Sequence, residues 1–182
     1  MPERQQQLAH LESLGDATPF AGQMHALIPN CLLLENFSQP EVELLAQFMS
    51  VYRAQPGTEI IREGEGEGGD FMLMLLEGRI EVVKRDRWNS PQVLASVEAG
   101  RTLGEMSMID GEPRFATCIA TEPSLIAVLD RESLARIIVE QPLLGAKILM
   151  ELVLMLSQRL RATSQRLLGL LDEKSQRTVN AL

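Results

Sequence analysis

Apolar and polar positions follow two different patterns along this chain. Between Gly57 and Asp130, short runs rich in Val, Ile and Leu are separated by Gly, Pro, Asp and Asn, as in strands joined by turns. The predicted strands cover residues 58–62, 71–76, 79–84, 93–97, 115–121 and 125–129. Several short strands at close spacing favour an antiparallel barrel or sandwich.

Turn residues divide these strands. Glu77 and Gly78 separate a continuous apolar run from one that alternates, so the pattern predicts a hairpin with its turn there. Further turns are predicted at Trp88–Pro91 and at Glu122–Ser124.

Helical spacing flanks the β region. Ser38 is a favourable N-cap before apolar positions at helical spacing, which predict a helix from Gln39 to about Tyr52. Asp130 caps a second predicted helix, Arg131–Glu140, which Pro142 ends. A third runs from about residue 143 to 174 and would be about 45 Å long. The chain therefore divides into an N-terminal extension (1–34), a barrel with flanking helices (35–141), and a long C-terminal helix and tail (142–182).

The long helix carries two apolar faces. Leu152, Met155 and Leu168 suit packing against its own domain. The other face repeats at spacings of four and three, as the seam of a coiled coil does. This seam consists of Leu149, Val153, Leu156, Leu160, Thr163, Leu167 and Leu170. A parallel homodimer is favoured, and a helix that only lies along its own domain is the alternative.

Composition narrows the classes of function. The 182 residues carry a net charge of −8, which disfavours direct binding of nucleic acid. Two Cys and two His are too few for a zinc or iron–sulfur centre, so no metal site or cofactor is expected. The richest apolar run, 148–156, is too short to cross a bilayer, and no secretory signal is visible. We expect a cytoplasmic protein that does not contact membranes.

The candidate site lies between Leu103 and Thr117. Gly104 allows a positive φ or a close approach to a ligand. Glu105 and Arg114 are opposite charges in an apolar setting, so each should pair with the other or with a ligand. An arginine suits one negative charge and a carboxylate suits a hydroxyl, as in a cyclic nucleotide with its phosphodiester and ribose 2′-OH. No catalytic residues are identified, because the chain shows no Ser/His/Asp or Cys/His set.

This stretch resembles the phosphate-binding cassette of the cyclic-nucleotide-binding domain family, Gly-Glu-aliphatic-Ser followed by Arg-x-Ala-Thr. Residues 56–64 resemble the family's Pro-Gly opening, and residues 70–82 resemble its hairpin. The resemblance covers about residues 35–175. It implies a mainly β fold with flanking helices, an antiparallel double-stranded β-helix or jelly-roll barrel, followed by a long dimerisation helix.

The resemblance also implies roles for individual residues. Glu105 would accept from the ribose 2′-OH, and Arg114 would pair with the cyclic phosphate. The implied ligand-binding set also contains Gly104, Met106, Ser107, Phe115 and Ala116, with the amides of residues 106, 115 and 116 around the anion. Phe115 departs from the family pattern, which usually has a small or hydroxyl residue there.

Residues 158–165 are similar to the dimerising helix of a member of this family, the bacterial catabolite activator protein. There a Thr of one subunit and a Ser of the other contact the adenine, which implies that role for Thr163 and Ser164. A polar seam residue that sets the register is the alternative for Thr163. Arg159, Arg161 and Arg166 are expected to form the solvated flank of the helix.

We therefore expect a regulatory sensor, not an enzyme, that binds a cyclic mononucleotide and signals through its dimerisation helix to an unidentified effector protein. The hydroxyls of Thr163 and Ser164 favour cAMP over cGMP. One alternative is a ligand-free scaffold for protein–protein interaction that has lost binding because of Phe115. Another is the sensor fragment of a longer transcription regulator. A cyclic dinucleotide sensor would need more than one arginine near the pocket.

Overall fold

The computed structural model describes residues 8–66 and 70–179, with side chains up to residue 171, and within them nine strands form two antiparallel sheets. The five-stranded sheet has the order β1 (Glu12–Asp16), β2 (Ser50–Ala54), β9 (Ser124–Asp130), β4 (Phe71–Glu77) and β7 (Thr102–Leu103). The four-stranded sheet has the order β3 (Glu59–Ile61), β8 (Thr117–Ala120), β5 (Arg79–Arg85) and β6 (Pro91–Glu98). The predicted mainly β fold of jelly-roll type is confirmed, with two open sheets in place of a closed barrel.

The predicted hairpin at Glu77 and Gly78 is wrong. β4 and β5 lie in different sheets, so the chain turns a corner at Gly78 and does not fold back on itself. Gly78 has φ +90°, and a Cβ there would stand 2.5 Å from the carbonyl oxygen of Pro123. Only glycine fits this corner. The predicted turn at Trp88–Pro91 does join a hairpin, formed by β5 and β6.

Five α-helices flank the sheets in the described part of the chain: α1 (Ala21–Ala26), α2 (Gln39–Ala46), α3 (Glu105–Asp110), α4 (Arg131–Glu140) and α5 (Pro142–Val179). Short 3₁₀ turns cover Thr18–Phe20 and Ile28–Asn30. α2 ends before the predicted Tyr52, which lies in β2 and pairs with Ile126 of β9. α3 stands where the sequence predicts a loop.

Strand β4 separates two apolar cores. Phe71, Leu73 and Leu75 face the space between the sheets. Met72 and Met74 face the opposite side, where they pack with the helices. Side chains alternate between the two faces of a strand, so a strand buried on both faces reads as a continuous apolar run.

Helix α5 docks on the body of the domain only over its first half. Ile148, Leu152 and Met155 are buried against the five-stranded sheet and the neighbouring helices, as predicted for 152 and 155. Leu168 is 60% exposed, so its predicted place on the docked face is wrong. From residue 160 to residue 171 every side chain is exposed, including the seam residues Leu160, Thr163, Leu167 and Leu170. The homodimer stays a prediction.

An ion pair joins α5 to α2. Lys147 Nζ lies 2.7 Å from Glu41 Oε1, and Ser38 also donates to Glu41. These donors hold the pKa of Glu41 at about 2, well below its usual range. A depressed pKa means that the folded state binds its proton less tightly than the unfolded chain does. The stabilisation is therefore present above about pH 4.5 and is lost as the pH falls towards 2.

We predict that Glu41→Gln lowers the melting temperature at pH 7 and makes its decline between pH 4.5 and 2 shallower. Glu43→Gln on the same helix is the control, because Glu43 accepts from Gln39. Thermal melts across this range test the prediction, and identical acid profiles for the wild type and Glu41→Gln would contradict it.

Candidate functional site

A cavity of about 150 Å³ opens beside α3, between the strands of the four-stranded sheet and the start of the exposed part of α5. Its lining residues come from β3, β5, β7, α3, β8, α5 and the loop that follows α3. They are Ile61, Val82, Leu103, Gly104, Glu105, Met106, Ser107, Arg114, Phe115, Ala116, Cys118 and Arg159. All the predicted cassette residues therefore meet at one cavity.

Thr163 and Ser164 do not line this cavity within one chain. Both are exposed, and the Thr163 hydroxyl donates back to the Arg159 carbonyl over 2.8 Å. Their predicted contact with the base stays a prediction, and it depends on a second copy of the chain.

Arg114 is a buried cation that lacks a carboxylate partner in the described structure. Its side chain is 3% exposed, and Nη1 donates to the carbonyl oxygen of Gly104 over 2.9 Å. The guanidinium also lies 4.3 Å from the ring of Phe71. Nη2 makes no hydrogen bond to any described residue. Burial lowers the pKa of Arg114 to about 10, which still leaves it protonated at neutral pH.

Gly104 makes room for this arginine, and Gly64 holds its backbone. A Cβ at Gly104, where φ is +84°, would lie 2.8 Å from Arg114 Nη1 and 2.9 Å from the Phe71 carbonyl oxygen. Gly64, with φ +81°, donates to the Arg114 carbonyl, while Arg114 N donates to the carbonyl of Glu65. The main chain of Arg114 is therefore fixed by residues 64 and 65, and its guanidinium lies against Gly104.

Glu105 is the first residue of α3, and its side chain is almost fully buried. It pairs with Arg159 of α5, whose Nη2 also donates to the Thr102 carbonyl over 3.1 Å. The second carboxylate oxygen, Oε2, has no partner among the described residues. The sequence predicts that Glu105 and Arg114 pair either with each other or with a ligand. In the structure they do not pair with each other.

The sequence-based expectation for Arg159 is wrong, because this side chain, although 39% exposed, lines the cavity and pairs with the buried carboxylate of Glu105. Burial lowers the pKa of its guanidinium. One signal could have revealed its position. Lys147, Glu151 and Met155 lie on the docked face at intervals of four residues, and Arg159 is the next residue in that series.

Arg131 holds the other end of α3. As the first residue of α4, it donates from Nε to the Met108 carbonyl over 2.8 Å and from Nη2 to the Ser107 carbonyl over 3.1 Å. Its Nη1 lies 3.3 Å from Asp70. A cation at a helix C-terminus satisfies free carbonyls and interacts favourably with the helix dipole. The short helix that carries Glu105 is thus held at both ends.

The thiol of Cys118 is a further polar group in the lining of the cavity. Burial raises the pKa of the Cys118 thiol to about 12, so it lines the cavity as a neutral group. Across residues 8–66 and 70–179, no three His, Cys, Asp or Glu side chains are placed to hold a metal ion. In the same part of the chain, no helix is long and apolar enough to cross a membrane.

Comparison with known proteins identifies the family. The family model described as cyclic nucleotide-binding domain matches residues 52–141. A crystal structure of a cyclic nucleotide-binding domain from Methylobacillus flagellatus KT is 35% identical, with a TM-score of 0.78 over 88% of this chain and 89% of that one. This chain belongs to the cyclic nucleotide-binding domain family.

More distant relatives match this chain over only part of their own length. The catabolite activator protein of Thermus thermophilus shares the fold at 24% identity, with a TM-score of 0.68 over 75% of this chain and 61% of that one. The cAMP-dependent protein kinase regulatory subunit of Blastocladiella emersonii is 26% identical over 64% of this chain and 28% of its own length. The chain thus spans about a quarter of that relative.

We predict that Arg159→Gln destabilises the domain by about 2 kcal/mol, because it leaves the buried carboxylate of Glu105 without its partner. The double variant Arg159→Gln/Glu105→Gln should recover part of this loss, since it removes the uncompensated charge. Arg166→Gln, an exposed position on the same helix, is the control. Urea unfolding at pH 7 measures the effect, and equal stability of Arg159→Gln and Arg166→Gln would refute it.

Proposed function

We propose that this domain is a regulatory sensor that binds a cyclic mononucleotide, with cAMP as the favoured ligand, in the cavity beside α3. The observation that carries the proposal is the buried guanidinium of Arg114, which has no carboxylate partner in the described structure and one free nitrogen. Burying a charge is costly unless it is paired. A bound anion would supply the missing partner.

The charges of the lining favour one negative charge on the ligand. Arg114 and Arg159 are cationic and Glu105 is anionic, which leaves one net positive charge among the lining residues. A cyclic mononucleotide carries one phosphodiester charge, whereas a cyclic dinucleotide carries two. Although two arginines line the cavity, Glu105 neutralises the second one.

The free oxygen of Glu105 suits a hydroxyl. Oε1 is engaged by Arg159, while Oε2 is buried and has no described partner. A carboxylate oxygen can only accept, so its ligand partner must donate. The ribose 2′-OH meets this requirement. Each of the two charge-assisted contacts contributes about 1.5–3 kcal/mol to the free energy of binding. Together with burial of the base, they support a binding free energy of about −8 kcal/mol, which corresponds to a micromolar Kd.

One argument favours cAMP. The hydroxyls of Thr163 and Ser164 can accept from the adenine amino group if a second copy brings them to the cavity. Dimerisation is part of this proposal, and it is supported by the exposed apolar stripe of α5.

Signalling would run through α5 to an effector protein. Glu105 contacts the ligand in this proposal, and Arg159 joins the same carboxylate to α5. A ligand hydroxyl on the second oxygen of this carboxylate would share Glu105 with the contact that attaches the helix. A ligand-free scaffold is the second candidate, because Phe115 lines a cavity that is small compared with the usual 300–1,000 Å³ of ligand pockets.

We predict that Arg114→Ala weakens cAMP binding at least tenfold in calorimetry, because the anion loses its charge-assisted partner. Arg136→Ala is the control, since Arg136 pairs with Glu140 on the exposed side of α4. Unchanged affinity of Arg114→Ala would exclude this site. A wild-type protein that binds neither cAMP nor cGMP would favour the scaffold.

We predict that Leu160→Asp combined with Leu167→Asp converts a dimer to a monomer, because it places charges in the coiled-coil seam. Leu143→Asp is the control, because Leu143 lies on the same helix outside the seam and is 89% exposed. Light scattering after size exclusion gives the mass of each variant. A wild-type monomer, or a dimer that survives both seam charges, would overturn the proposed interface.

A further inference from the structure

Phe115 is a large apolar side chain on the rim of the cavity. It follows Arg114 directly in the chain, it lines the cavity, and it is 55% exposed. Because the ring is more than half exposed, its packing within the domain contributes little to the stability of the fold. Its position next to the proposed anion contact raises the question of what the ring contacts when a ligand is bound.

Lys84 of β5 fixes this ring. Its ammonium lies 4.3 Å from the centroid of the Phe115 ring and donates to the Phe115 carbonyl over 2.7 Å. The same ammonium donates to Glu63 over 2.8 Å. Both the backbone and the ring of Phe115 are therefore held by one cation from a neighbouring strand.

The partner of this cation is also fixed. Glu63 accepts from the amide of Arg85 through its second carboxylate oxygen, and its own amide donates to the Thr117 hydroxyl. Lys84 thus belongs to a network that spans β5, the loop at Glu63 and the start of β8. A cation over an aromatic face contributes about 0.5–1 kcal/mol at an exposed site. The ring is ordered before any ligand arrives, so binding has less side-chain entropy to remove.

Three further lining side chains are apolar. Val82 and Ile61 belong to the four-stranded sheet, and Met106 of α3 is 49% exposed. These side chains offer no hydrogen bonds with which to read the edge of a base. An ordered aromatic face, in contrast, binds any base by stacking.

We propose that Phe115 is a base-binding residue whose ring stacks on the nucleobase of the ligand. This inference rests on the proposed function and adds how the base is held. Arg114 binds the phosphate, and the next residue along the chain binds the base. The ring that departs from the family pattern thus takes part in binding and does not block it.

The test separates the base from the rest of the ligand. Calorimetry compares cAMP with ribose 3′,5′-cyclic phosphate, which has the same sugar and phosphate but no base. Phe115→Ser should weaken cAMP binding by about tenfold or more, the range that loss of one base–aromatic stack produces. It should leave the affinity for the base-free ligand unchanged. Phe115→Trp should keep the affinity for cAMP.

Trp88→Ser is the matched control. Trp88 is also an exposed aromatic under a cation, with Arg87 3.9 Å from its ring, but it does not line the cavity. This variant should bind both ligands as the wild type does.

Each other outcome has a distinct meaning. Tighter binding of both ligands by Phe115→Ser would overturn the inference, because the ring would then obstruct the cavity. Equal weakening for both ligands would also overturn it, because the ring would then support the phosphate site or the fold. If the wild type binds neither ligand, the proposed function itself fails, and the inference fails with it.

Discussion

The arrangement of this domain depends on one electrostatic constraint, the burial of the Arg114 guanidinium. A buried cation must be hydrogen-bonded or paired, and here the protein supplies one carbonyl acceptor, at Gly104, and one aromatic face, at Phe71. Gly104 cannot carry a side chain, because a Cβ would collide with both the guanidinium and the Phe71 carbonyl. The same cation therefore sets the positions of three elements: β4, the start of α3 and the loop that ends at Arg114. The shell of partners around the guanidinium is incomplete, and the proposed anion would complete it.

The ion pair between Arg159 and Glu105 connects the site to α5. The first half of this helix is held by apolar packing and by Lys147 and Glu151, which contact Glu41 and Asn36. Just before the exposed half begins, Arg159 attaches the helix to the cassette through Glu105 and the Thr102 carbonyl. In the proposed function, a ligand hydroxyl that binds Glu105 would act next to the contact that attaches the helix. A ligand can shift the helix only if it binds the domain with the helix attached and the domain with the helix released with different affinities.

The sequence predicted the helices and strands that depend on interactions between residues close together in the chain. Asp130 caps α4 through a hydrogen bond from Ser133 N, and the continuous apolar run became β4, buried on both faces. The corner at Gly78 was mistaken for a hairpin, because a glycine after a strand signals a change of direction without saying which sheet follows. Helix α3 has six residues, too few to show a periodic pattern, and tertiary contacts from Arg131 hold its end. The contact of Arg159 with Glu105 joins residues 54 positions apart, which a motif does not reveal.

The energetics of the cavity also bear on the choice between a sensor and a ligand-free scaffold. A scaffold needs only a stable fold, and a buried charged group with missing partners makes that fold less stable than an apolar side chain of similar volume would. Arg114 Nη2 and Glu105 Oε2 are buried without described partners, which is an unfavourable state for an empty cavity. A ligand with one anionic group and one hydroxyl donor satisfies both at once. The cost that the empty domain carries at these two atoms is the free energy that such a ligand would recover on binding.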